Sequence, residues 1–279
     1  MLRRRTLLAA SALAGAGYLS AAAYYYLAQE SLLFFPTRLP AEHRFEFAAP
    51  FEEHRIAMAD GVRLHTLLFP ASPSRGVVLY LHGNGGALDA WGAHAREFLA
   101  LGFDFFVVDY RGYGKSEGEI DSEQQLLADA ARLYDWLAER YAEERIVVAG
   151  NSIGTGIAAQ LACSRSPRRL LLLAPYDNLL TLARHHVTFL RLAPAALLRY
   201  RLPTDETLAD CATPVTIVHG DRDEIIPIAA AERLATRLKP GDELIRLAGG
   251  GHVLRRHPGY AEALRHALEA PLAAASGQP

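Results

Sequence analysis

Apolar residues along this chain gather in short, largely apolar runs: Val77–Leu81, Phe103–Val108, Arg145–Ala149, Leu170–Leu173, Val215–His219 and Leu244–Leu247. Most are rich in β-branched or aromatic residues, and such runs read as strands buried on both faces. Between them the apolar period lengthens. Ala90 to Leu101 reads as a helix stopped by Gly102. Residues 122–141 read as a long amphipathic helix with Leu126, Leu133, Trp136 and Leu137 near one face. A further helix is expected over Thr155–Ala162 and a last one at about 260–270, followed by a tail after Pro271 that reads as disordered. Ahead of these, 54–59 and 62–69 alternate as two antiparallel strands joined at Asp60-Gly61. Buried strands alternating with helices predict an α/β domain whose largely parallel sheet is covered on both faces. Ligands of such sheets bind outside the carboxyl ends of the strands. No internal repeat is present.

The N-terminus breaks this pattern. Arg3-Arg4-Arg5 is followed by no charged residue until Glu30, and Tyr24-Tyr25-Tyr26 closes the apolar or small stretch from Thr6 to Leu27. As a helix rising about 1.5 Å per residue, such a stretch spans the roughly 30 Å hydrocarbon core. The expectation is an uncleaved signal anchor over 1–30, a transmembrane helix with its arginines cytoplasmic and the rest of the chain extracytoplasmic. The rival is a cleaved export signal, for which Ala21-x-Ala23 offers a site and Arg4-Arg5-Thr6-Leu7-Leu8 a faint twin-arginine pattern, and the third alternative is an interfacial or buried helix. Residues 31–53 then read as a linker, with Leu32-Leu33-Phe34-Phe35 docking on the domain or on a membrane surface. The main domain is expected over 54–271, and 272–279 as the tail.

Composition adds exclusions. A net charge of −2, a pI near 6.6 and the lack of a basic stripe argue against a nucleic-acid partner. The two cysteines, Cys163 and Cys211, have no metal or C-x-x-C spacing, and spacing neither supports nor excludes a disulfide between them.

The chemistry concentrates at strand ends. Gly150-Asn151-Ser152-Ile153-Gly154 follows one apolar run and precedes a helix. Strand, tight turn and helix with serine at the apex make a nucleophile elbow, whose strain demands small neighbours two residues away. A serine hydroxyl needs a base to take its proton, and the base needs an acid to orient it. His252 follows a glycine run, Gly249-Gly250-Gly251, that can fold inward to deliver the imidazole. The acid lies among Asp221, Asp223 and Glu224, after the run ending at His219. An oxyanion needs fixed donors. The amide of Ile153 is one candidate, because it follows the nucleophile, and that of Asn84 in His82-Gly83-Asn84-Gly85-Gly86 is the other. His82 reads as a packed loop histidine, Asp109 and Arg111 as holding their turn, and His185 and His186 as surface or lid residues. The glycine loop lacks the G-K-[ST] of a phosphate cradle.

Five landmarks now stand in order: His82–Gly85, Asp109-Tyr110-Arg111-Gly112-Tyr113-Gly114-x-Ser116, Gly150–Gly154, His219-Gly220-x-x-Asp223-x-x-x-Pro227, and Gly251-His252. With them the chain resembles the α/β-hydrolase superfamily of serine hydrolases, over roughly residues 54–270. The pattern and Gln29–Pro36 are similar to a subgroup with an N-terminal membrane segment and a short lid, which includes acyl-protein thioesterases and lipid esterases. The resemblance implies Ser152, Asp223 and His252 as a triad, and no cofactor. Gly86 and the triple glycine depart from the pattern by loosening their loops. The segment 176–211 is longer than a plain crossover; Leu179, Leu180, Leu182, Val187, Phe189, Leu190 and Leu192 give it an apolar face. It reads as a lid lining an acyl pocket, or as a helix simply packed on the domain. The expected substrate is a small or lipid-like ester or thioester with an apolar acyl chain. A non-catalytic binding protein, a peptidase and a perhydrolase are the alternatives.

Overall fold

The computed structural model describes residues 2–187, 190 and 194–269. The tail expected at 272–279 lies outside these residues, as do Phe189 and Leu192 of the lid face. Two helices open the chain, α1 (Leu2–Leu27) and α2 (Gln29–Leu33). A two-residue strand β1 (Phe35–Pro36) follows, then β2 (Glu52–Ala57), β3 (Arg63–Phe69), β4 (Val77–Leu81) and β5 (Gly85–Gly86). Next come α3 (Leu88–Trp91), α4 (Ala95–Leu99), β6 (Asp104–Val108), α5 (Glu123–Ala138), β7 (Ile146–Asn151), α6 (Gly154–Cys163) and β8 (Arg169–Leu173). The last third holds α7 (Leu179–His186), α8 (Thr204–Ala209), β9 (Val215–Gly220), α9 (Ile228–Ala235), β10 (Glu243–Leu247) and α10 (Tyr260–Glu269).

Eight strands form one sheet in the order β10-β9-β8-β7-β4-β6-β3-β2. Six neighbours from β10 to β6 run parallel, and β3 alone is antiparallel to both its partners. Strand period two divides the core. Val77, Leu79 and Leu81 of β4 face one side, packing with Leu133 of α5 and Ile157 of α6. Val78 and Tyr80 face the other, with Phe98 of α4 and Leu264 of α10. Each face is therefore fully covered, which is why these runs carry no polar alternation.

Two expectations change. The helix read over Ala90–Leu101 is two short helices, broken by a 3₁₀ turn at Gly92–His94. Gly92 sits so close to the Phe47 ring that a β-carbon there would overlap it. The expected transmembrane helix is not supported: among the described residues no helix is long and apolar enough to cross a membrane. Alanine, glycine, serine and tyrosine separate the leucines of α1 and dilute its hydropathy.

Candidate active site

Four parallel strands of this sheet end at one rim, and each hands a loop to the site. β7 ends at Asn151, and the chain turns sharply at Ser152, whose φ of 52° is a left-handed conformation that costs a non-glycine residue energy. The turn is steric at its base. A β-carbon on Gly154 would overlap the Leu81 carbonyl oxygen, and one on Gly150 would lie 2.7 Å from Thr155 Cα. The Ser152 amide donates to the Leu173 carbonyl of β8 at 2.9 Å, and its carbonyl accepts the Thr155 hydroxyl and amide. The hydroxyl is thereby aimed away from the sheet while its backbone is tied down. A side chain on Gly156 of α6 would strike the Tyr176 hydroxyl and Leu202.

His252 Nε2 stands 3.1 Å from Ser152 Oγ, and its Nδ1 stands 2.7 Å from Asp223 Oδ2. With Asp223 ionised, Nδ1 carries the proton and donates, which leaves Nε2 as the acceptor facing the hydroxyl. Asp223 is buried, which by itself raises a carboxyl pKa. Hydrogen bonds from His219 and His252 and from the Ile226 amide outweigh that burial and hold it well below the usual carboxylate range. Its Oδ1 accepts the amides of Ile225 and Ile226 at 2.9 and 2.8 Å. Of the three acids near β9, only Asp223 meets the imidazole. Asp221 instead accepts the Gly249 amide at 2.6 Å and ties down the loop that carries His252, while Glu224 is exposed. The glycine run has a steric cause: Gly250 crosses the end of β9 so closely that a β-carbon on Gly220 would overlap its carbonyl.

The loop after β4 carries Asn84. Its carbonyl accepts two donors, the Tyr113 hydroxyl at 2.7 Å and the Phe35 amide at 2.8 Å. β1 and β5 pair in parallel, Phe35 with Gly85, so the linker after α2 braces this loop. The amides of Asn84 and Ile153 donate to no partner among the described residues, which leaves both available to a ligand oxygen. His82 is fully buried beside Trp91, its Nδ1 2.6 Å from the Gly83 carbonyl; burial lowers its pKa to about 4. Asp109 accepts the Leu88 amide, and Arg111 is gripped by both Asp129 and Asp60. No group of acids, histidines and cysteines able to hold a metal occurs among the described residues.

A cavity of about 320 Å³ opens on Ser152. Its lining is largely apolar: Ile153, Leu179, Leu182, Val187 and Leu190 from the rim and lid, with Leu32 and Leu33 from α2. His186 also lines it and contacts the Ile225 carbonyl at 2.7 Å. The sequence reading docks Leu32 and Leu33 on the domain or a membrane surface, but it does not bring them, Tyr25 or Gln29 to Ser152, since nothing in their local pattern points so far along the chain. Cys163 and Cys211 are joined as a disulfide, their Cα atoms 4.8 Å apart.

Comparison with known proteins bears on the family and the fold. The family model described as serine aminopeptidase, S33 (Hydrolase_4) matches residues 72–207. An uncharacterised protein of Mycobacterium tuberculosis is 31% identical over 228 residues, covering 80% of this chain and 80% of that one. The lysophosphatidylserine lipase ABHD12 of Danio rerio is 31% identical over 181 residues, 58% of this chain; the match spans about half of that lipase, 47% of its length. Among solved structures, an esterase of Pyrococcus furiosus superposes with a TM-score of 0.67 at 18% identity, covering 85% of this chain and 97% of that one.

Proposed function

Since the chain belongs to the α/β-hydrolase superfamily of serine hydrolases, we propose that it hydrolyses carboxylic esters or thioesters with an apolar acyl chain through an acyl-enzyme on Ser152. The observation that carries this reading is the joint geometry of the Ser152–His252–Asp223 chain and the apolar cavity opening on the same hydroxyl.

In this mechanism Ser152 Oγ attacks the acyl carbon while His252 Nε2 accepts the hydroxyl proton. Asp223, ionised and buried, holds the imidazole in its productive tautomer and stabilises the imidazolium. The amides of Asn84 and Ile153 receive the developing oxyanion. As the tetrahedral adduct collapses, the bond from acyl carbon to leaving oxygen or sulfur breaks, and the imidazolium donates its proton to the leaving group. Water then repeats the sequence on the acyl-enzyme, releasing the acid and Ser152. The acyl chain occupies the cavity under Leu179, Leu182 and Leu190. The ABHD12 relatives are named lysophosphatidylserine lipases, which makes single-chain acyl lipids natural members of the test panel. The Cys163–Cys211 disulfide supports residence of the domain outside the reducing cytoplasm.

The test is a panel of acyl esters, thioesters and aminoacyl amides, run on the full chain and on Ser152→Ala. Medium-chain esters should turn over faster than acetyl esters, and a fluorophosphonate should label Ser152. The serine variant should lose on the order of 10⁴- to 10⁶-fold in kcat. Faster turnover of the amides, or full activity in Ser152→Ala, would overturn the reading.

A further inference from the structure

The lid is fastened from the far end of the chain. Gln29 is only 4% exposed. Its Nε2 donates to the Leu197 carbonyl at 2.8 Å, and its Oε1 accepts the Arg199 amide at 2.8 Å. Beside it, Glu30 accepts the Tyr200 hydroxyl at 2.9 Å and pairs with Arg199, and the Phe34 ring meets the Tyr200 ring edge-on at 5.5 Å. Gln29 itself lines the acyl cavity, together with Tyr25, Leu32 and Leu33. A few residues on, Phe35 and Thr37 donate their amides to the carbonyls of Asn84 and Gly86.

A buried carboxamide is costly unless its polar atoms are satisfied. Here the lid backbone, 168–170 residues away, supplies most of that satisfaction. Removing the amide would in turn strand the Leu197 carbonyl and the Arg199 amide. All four cavity residues precede residue 72, where the match to the family model begins, so this wall is not part of that matched core.

We propose that residues 25–37 form a specificity strap. Gln29 is its positioning residue: it holds 197–199 over the cavity, and the strap thereby sets the acyl-chain length the site accepts. This rests on the acyl-ester reading of the same site. A merely structural role for Gln29 would weaken the fold and lower all turnover in proportion. A strap that forms the cavity wall instead changes the ranking of substrates.

The experiment uses the full chain and p-nitrophenyl esters from acetate to dodecanoate. In Gln29→Leu the volume stays and both lid bonds go. The ratio of kcat/KM for octanoate over acetate should fall at least tenfold, carried by a higher KM for octanoate. Leu32→Trp leaves the Gln29 bonds in place and fills the cavity, so the preferred chain should shorten by two carbons or more. Folding is checked by far-ultraviolet circular dichroism; should Gln29→Leu not fold, Leu32→Trp decides alone. An active wild type whose length profile stays within twofold in the folded variants overturns the strap. A wild type inert toward every ester overturns the hydrolase reading and the strap with it.

Discussion

The rim of the sheet and the lid above it are held by different means. At the rim, Ser152 is tied by main-chain bonds to β8 and by glycines that admit no side chain, and Asp223 is fixed by two amides of its own loop. Every restraint there is either backbone or lies within a few residues of a strand end. The lid depends on side chains from elsewhere: Gln29 and Glu30 grip 197–200, and Glu123 accepts the amides of Arg201 and Leu202. On the proposed reading, chemistry rests on the sheet, while selectivity rests on a few polar bonds of large sequence separation. Exchanging lid residues should redirect the enzyme, and exchanging rim residues should silence it.

After loss of the nucleophile itself, the largest break should come from Asp223→Asn. The amide keeps the shape but no longer fixes the imidazole tautomer or stabilises its cation, and a loss of about 10⁴-fold in kcat is expected across all chain lengths. Steady-state kinetics on acetate and octanoate esters checks this. A loss confined to long-chain esters would mean that the rim and the lid are not separable in the way drawn here.

That division also explains what could be read from the chain alone. The apolar runs at 77–81, 146–151 and 215–220 announce their strands because burial on both faces favours apolar residues at successive positions, and the glycines of the elbow announce the turn because no other residue fits. His252 and Asp223 follow because they sit directly after strands whose order is set by the parallel sheet. Choosing Asp223 over Asp221 required the resemblance to known hydrolases; the structure gives the reason, since Asp221 is spent on the Gly249 amide. Gln29 entered only as part of the Gln29–Pro36 resemblance, and its hold on the lid was not legible: a lone glutamine carries no periodic signal, and its partners are 168–170 residues away. The Cys163–Cys211 bond was hidden for the same reason, and the length of α1 overstated its apolar character.

Acid should separate the two regions by a smaller margin. Beneath the Asn84 loop, burial lowers the pKa of His82 to about 4, and burial with the nearby Arg255 and Arg96 lowers that of His94 to about 3. Both folded values lie below the ordinary 6.5, so between these pH values the unfolded chain binds more protons than the folded one. Stability is then fully present above about pH 6.5 and is lost as the pH falls toward 4. At about 1.4 kcal/mol per unit, His82 alone accounts for about 3 kcal/mol. Denaturant midpoints at pH 7 and pH 4.5 measure the loss, and His94→Phe should flatten the slope. A midpoint independent of pH over this range would mean that these imidazoles are not held neutral.

The finest probe of the lid is its own helix cap. Asn178 accepts the Thr181 amide at 2.8 Å at the start of α7 and donates to Asp205 at 3.0 Å. It does not line the cavity, yet α7 supplies the wall formed by Leu179 and Leu182. Replacing a capping side chain by alanine costs about 1 kcal/mol, and Asn178→Ala should lower the melting temperature by roughly 2–4 °C in a domain of this size. A 1 kcal/mol change corresponds to a factor of about five in an equilibrium, so KM for an octanoate ester should rise by no more than about fivefold. Acetate turnover, which depends on the rim, should change by less than about twofold on the same scale. If instead acetate turnover collapsed while melting barely moved, the cap would be acting on Ser152 itself, and lid and rim would have to be treated as one cooperative unit.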